Sequence, residues 1–206
     1  MPETLLPQVP SELPLFPLNT VLFPGAGLPL KVFEARYMDL VSRCLREQTG
    51  FGICLIAEGP EVGGPARPET VGVLAQIADC DMSQPGILQI RVVGEQRFRV
   101  AHVAHDANGL ARAVVEWLPE AAGQPVPPEF ADIVPLLRAV VADAGPENIP
   151  EPHHFDDACW VGHRYAQILP IPAKAKQKLL ELDDPLLRLS IVREFLIQRG
   201  LLTPAG

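Results

Sequence analysis

Leu13-Pro-Leu-Phe-Pro-Leu-Asn-Thr-Val-Leu-Phe-Pro-Gly25, followed closely by Leu28-Pro-Leu-Lys-Val-Phe-Glu-Ala-Arg-Tyr37, decides how the rest of this 206-residue chain is read. Two short apolar segments are broken by Pro14, Pro17, Pro24 and Pro29 and turned at Gly25 and Gly27. Proline has no amide hydrogen for a sheet ladder, so such segments suit edge strands and strand ends. From Ala35 the period changes. Tyr37, Leu40, Val41, Cys44 and Leu45 fall on one face of a helix predicted over 35–48, with Gly50 as its stop. Residues 51–57 then form a continuous apolar run of strand length.

Residues 58–69 hold three prolines and three glycines and are predicted to be a long exposed loop. Strand-like runs follow at 70–82, 86–93, 96–105 and 110–118, separated by turn signals at 83–86, Gly94-Glu95 and 106–109. Asn108-Gly109 is the strongest hairpin cue among them. This spacing predicts a mostly antiparallel barrel or sandwich with one helix inserted early. Residues 119–128 carry four prolines and mark a change of composition. Beyond them, Phe130, Ile133, Val134, Leu137 and Val141 take helical spacing interrupted at Pro135. Further helices are predicted from Ala158, over 174–182 after Pro172, and from Asp184-Pro185, an N-cap and first-turn proline, to a stop at Gly200. The chain thus divides into a β half over 1–120 and a helical half over 121–206.

Hydrophobic residues make up 48% and charged residues 20%, the balance of a globular chain. Seventeen basic against 25 acidic side chains leave a net charge of -8, which argues against nucleic acid as a partner. Cys44, Cys54, Cys80 and Cys159 show no C-x-x-C pair and read as small buried hydrophobes, not as a disulfide framework. Met1-Pro-Glu opens no leader, and the most apolar run, Val21 to Leu30, is too short to span a bilayer. A cytoplasmic protein without membrane contact is the expectation.

Several segments together carry a family resemblance. They are the opening stretch, Val71-Gly-Val-Leu-Ala-Gln-Ile-Ala, the G-x-x-R-F-x-V core at Gly94, Arg97, Phe98 and Val100, and Asp184, Arg188 and Leu189. The chain resembles the substrate-binding N-terminal domain of the Lon family of ATP-dependent proteases, over roughly residues 11–199. The resemblance implies an α+β fold: a PUA-like, mostly antiparallel β pseudo-barrel with one inserted helix, then a C-terminal helical bundle. It also implies a non-catalytic module that binds unfolded or apolar polypeptide segments, in concert with a separate protease or ATPase. No Walker A sequence occurs, no glycine is followed by lysine, and no serine lies in a G-x-S-x-G elbow. The chain is therefore read as the binding domain without the ATPase and protease domains, not as an enzyme, and with no cofactor.

For binding, Phe16, Leu22 and Phe23 are expected to leave an apolar groove, rimmed by Glu34 and Arg36 at the helix start beside Tyr37. Arg97 shares a strand face with Arg99 and offers a grip for a carboxylate. Cys159 and His163, four apart on one helix face, suit zinc. No second pair is spaced to complete the site, so no metal is assigned, and the neighbouring Asp156 and Asp157 read as helix N-terminal charges. Two rival functions stay open: an RNA-binding barrel using Arg91, Arg97, Arg99 and Arg112, and a hydrolase without a recognisable motif.

Overall fold

The computed structural model describes residues 12–121 and 123–203. The start of the chain, read above as lacking a leader, lies outside the described residues. The β half comprises β1 (Glu12–Leu18), β2 (Gly27–Val32), β3 (Phe51–Glu58), β4 (Arg67–Gln84), β5 (Ile87–His105) and β6 (Ala111–Trp117), with helix α1 (Ala35–Glu47) between β2 and β3. β1 pairs in parallel with β3 and antiparallel with β6, β3 with β4, and β4 with β5. β5 is long enough to return along β6, which closes a ring of five strands. β2 hangs outside this ring, paired only with the first half of β5.

Phe98 fills the barrel interior with Leu13, Leu15, Cys54, Ala111 and Ala113. It fits because Gly52 and Gly72 face it: a Cβ at either position would lie 2.6 Å from the Phe98 ring. The larger core lies on the other side of the sheet, where Tyr37, Leu40, Val41 and Cys44 of α1 cover Phe51, Ile53, Val71 and Val73.

Three local expectations are corrected. Gly94-Glu95 is not a turn, since β5 runs through it. Gly94 is required by close approach instead, because a Cβ there would sit 2.3 Å from the Phe23 carbonyl oxygen of the 23–26 loop. Likewise α1 stops at Gln48, which takes the left-handed conformation at φ 55, and not at Gly50. Gly50 serves to let β4 pass, its Cβ position falling 2.6 Å from the Ala75 carbonyl. The predicted 58–69 loop is also shorter at its end, because β4 takes in Arg67, Pro68 and Glu69.

The helical half opens with a 3-10 turn, Pro128–Ile133, leading into α2 (Val134–Ala144). Pro135 lies in the first turn of α2, where a missing amide costs nothing. Helices α3 (Ala158–Ile168), α4 (Ala173–Glu181) and α5 (Pro185–Gln198) follow. Asp157 caps α3 at the Trp160 amide, and Asp184 caps α5 at the Leu186 amide, 2.8 Å away. No helix among the described residues is long and apolar enough to cross a membrane.

The halves are joined by buried polar side chains that reach main-chain carbonyls across the boundary. Arg97 of β5 donates to the carbonyls of Leu180 (2.8 Å) and Leu182 (3.0 Å), beyond the barrel. Its guanidinium also pairs with Glu120 at 2.6 Å and Asp183 at 3.2 Å. In the reverse direction Gln177 of α4 donates to the Val71 carbonyl at 2.9 Å, and Arg164 of α3 to that of Pro24. Leu179, Leu180 and Ala166 join the barrel's core as well. Arg97→Ala breaks contacts to five partners of a side chain only 1% exposed. We expect a loss of about 3 kcal/mol, the scale for breaking a buried ion pair on one side, read as a lower urea midpoint at unchanged m-value.

Candidate functional site

Phe16 and Tyr37 form the floor of the site. Their rings stack at 4.0 Å between centroids with 6° between planes, where β1 meets the first turn of α1. Burial, more than the opposing pull of Arg36, pushes the Tyr37 phenol up, so it stays neutral. Above this pair lies a hollow of about 170 Å³, walled by Leu30 and Phe33 on one side and by Glu61 and Val62 on the other. Phe33 is 51% exposed and Val62 53%, so a large part of the wall is apolar surface open to solvent.

The 59–66 loop forms the outer wall and is strapped down at three points. The Glu61 carboxylate accepts from the Asn19 amide at 3.0 Å and from its side-chain nitrogen at 2.9 Å. Glu34 accepts from Arg36 at 2.9 Å and from the Gly63 amide at 3.4 Å. Arg36 also donates to the carbonyls of Gly109 (3.1 Å) and Gly64 (3.4 Å). Glu34, although at the N-cap of α1, makes no capping bond with its side chain. Its charge is spent on the loop.

Of the seven residues expected to bind, the structure brings Phe16, Glu34 and Tyr37 to this hollow. Arg36 braces the loops behind it. Leu22 and Phe23 do not line a groove: both are buried, and Phe23 lies against the His163 ring of α3. The proline-flanked run 20–24 faces a helix that arrives 140 residues later, a contact that local periodicity does not register. Arg97 is likewise removed from solvent and separated from Arg99, which stays exposed, because α4 and the 182–183 turn cover only one of them. Phe33 was passed over. It stands four residues before Tyr37, in step with the 37/40/41/44 stripe, but precedes the first residue of α1, and an apolar side chain at a helix entry was the available signal.

Other depressions exist. One near Glu58, Arg67 and His105 encloses about 550 Å³, and one near Asp79, Arg91 and Glu147 about 600 Å³. Each has an ion pair in its wall (Glu58–Arg67, 2.6 Å; Asp79–Arg91, 3.2 Å) and neither contains phenylalanine or tyrosine. An apolar groove of about 400 Å³ lies between α4 and α5, lined by Ile171, Leu179, Leu182, Ile191 and Phe195.

The helical half adds a cluster that sequence spacing left incomplete. Cys159 Sγ lies 3.9 Å from His163 Nδ1, and Glu120, from the segment after β6, brings Oε2 to 3.5 Å from the same sulfur. Burial, reinforced by Glu120, pushes the Cys159 thiol up to about 11. Burial and the charges of Arg188, Arg164 and Arg97 hold His163 well below the usual imidazole range.

Comparison with known proteins agrees with this architecture. The profile of the ATP-dependent protease La (LON) substrate-binding domain matches residues 12–198, so the chain belongs to that family. It is similar to the crystal structure of a Lon N-terminal domain protein from Xanthomonas campestris, with 35% identity and a TM-score of 0.75, covering 89% of this chain and 98% of that one. The N-terminal domain of a Mycobacterium avium complex Lon protease, 19% identical, shares the fold at a TM-score of 0.64, over 89% of this chain and 97% of that one. Lon protease 2 of Myxococcus xanthus is 28% identical over 204 residues, 91% of this chain and 24% of its own length. Protein cereblon of Danio rerio is 31% identical over 113 residues, 53% of this chain and 26% of its own length. The chain spans about a quarter of the length of these curated relatives.

Asn19→Ala removes the side-chain half of the Asn19–Glu61 tie. A side-chain hydrogen bond contributes about 1 kcal/mol, so amide exchange at 61–64 is expected to rise several-fold while the thermal midpoint barely moves. Exchange mass spectrometry reads this directly.

Proposed function

We propose that this chain is a non-catalytic recognition module that takes an apolar side chain of an unfolded polypeptide into the Phe16–Tyr37 hollow. The observation that carries the reading is the pairing of exposed Phe33 and Val62 across a cleft floored by stacked aromatics, in a member of the Lon substrate-binding family. Small-molecule sites enclose about 300–1,000 Å³, so a hollow of about 170 Å³ suits one side chain better than a whole metabolite. Lys31 at its border leaves a polar group for the flanking main chain. One such anchor gives weak, transient binding, on the order of micromolar, unless several copies or a partner ATPase or protease add avidity. A cytoplasmic setting accords with this role.

The rival readings meet specific obstacles. A thiol hydrolase built on Cys159 and His163 needs a thiolate, yet burial and Glu120 hold that sulfur protonated. An RNA surface needs its arginines free and adjacent. Arg97 is buried, Arg91 pairs with Asp79, and Arg112 faces Asp106 at 3.8 Å.

Phe33→Asp and Val62→Asp are each expected to weaken binding of a reduced, unfolded model protein by tenfold or more, measured by fluorescence anisotropy, with the circular dichroism spectrum unchanged. Unaltered affinity in both overturns the assignment. Loss on Ile191→Asp instead would move the site to the α4–α5 groove.

A further inference from the structure

We propose that Glu120, Cys159 and His163 form a binding site for one thiophilic divalent cation, zinc being the class of ion that this donor set takes. The three side chains offer a carboxylate oxygen, a sulfur and an imidazole nitrogen, and these atoms all lie within 4.8 Å of one another. In a tetrahedral zinc site, bond lengths near 2.0–2.3 Å place ligand atoms about 3.6 Å apart. The sulfur is 3.5 Å from Glu120 Oε2 and 3.9 Å from His163 Nδ1, so two edges of such a tetrahedron are nearly in place before any ion enters.

The surroundings favour this assignment in three ways. His163 is buried on the same face of α3 as Cys159, one turn on, with its Nδ1 turned toward the Cys159 sulfur. Glu120 divides its oxygens: Oε1 takes Arg97 at 2.6 Å, while Oε2 faces the sulfur. A second partner that fixes a ligating carboxylate is the usual outer support of a metal site. Finally, Cys159 and His163 are buried while Glu120 is partly exposed, which leaves a way in for the ion and a fourth position for water.

Charge is the opposing factor. Arg97, Arg164 and Arg188 all act on His163. Arg97 keeps Asp183 to match its charge when Glu120 turns to the ion, however, while Arg188 is engaged by the carbonyls of Leu179 and Leu182 and Arg164 by that of Pro24. On binding, the Cys159 proton leaves to solvent, and thiolate plus carboxylate cancel the two charges of the ion. The ion would also tie the segment after β6 to α3, reinforcing the bonds from the Gly123 amide to Asp157 and from the Ala158 amide to the Gln124 carbonyl.

Cobalt(II) titration of the chelator-stripped, reduced protein tests the site. One equivalent is expected to give a near-ultraviolet sulfur-to-cobalt band and the visible bands of a four-coordinate ion, both erased by added zinc. Cys159→Ser should abolish the sulfur band, His163→Gln and Glu120→Gln should weaken binding tenfold or more, and Cys80→Ser should change nothing. As a check that needs no variant, zinc should slow alkylation of Cys159 in the native protein, followed by mass spectrometry. Absence of the band in the native protein, its survival in Cys159→Ser, its loss in Cys80→Ser, or alkylation indifferent to zinc each overturns the assignment.

Discussion

The structure depends on one kind of interaction: a buried guanidinium or amide from one half reaching main-chain carbonyls of the other. Arg97 is its centre, gripping the end of α4 from a barrel strand while Glu120 and Asp183 balance its charge. Gln177 and Arg164 make the same kind of bond in the opposite direction. A carbonyl at a helix end or in a loop lacks an internal partner, and burying it unpaired is costly. Each long side chain therefore satisfies groups that the packing of bundle on barrel would otherwise strand. Apolar contact supplies the area of that packing, and these bonds fix its orientation.

This explains why the Phe16–Tyr37 hollow is where it is. Arg97 and Phe23 belong to the seam between halves, so the open apolar surface lies at the far end of β1, where α1 begins and the 59–66 strap crosses over. Arg36 illustrates the economy of the arrangement. One guanidinium holds the strap through Gly64 and Glu34 and the β5–β6 turn through Gly109.

Much of the architecture was legible because it rests on local chemistry. The α1 stripe, the apolar β3 run, the Asn108-Gly109 turn and the Asp184-Pro185 helix start all sit where residue type and period place them. The errors share one cause. Gly94 and Gly50 looked like turn or stop signals, yet both are small because another segment passes within contact distance, a fact of tertiary structure. The site was only partly legible for the same reason. Phe16, Glu34 and Tyr37, which line the candidate hollow, stand out by the density of aromatic and charged residues near the α1 start. Phe33 stands before α1 begins and Val62 in the 59–66 loop, so neither belongs to a patterned element, and Glu120 lies 39 residues from Cys159 in a proline-rich stretch with no pattern pointing to it.

The outer border of β2 has a wider consequence. Gly27 gives its outward amide to the Asn148 carbonyl at 2.9 Å, and two residues on Pro29 has none to give. By strand alternation, Lys31 is left as the next outward donor, itself a charged residue. A strand border with free donors invites an extended chain to add itself and start a cross-β stack. With its donors spent, missing or beside a charge, the border of β2 makes a poor template for such growth.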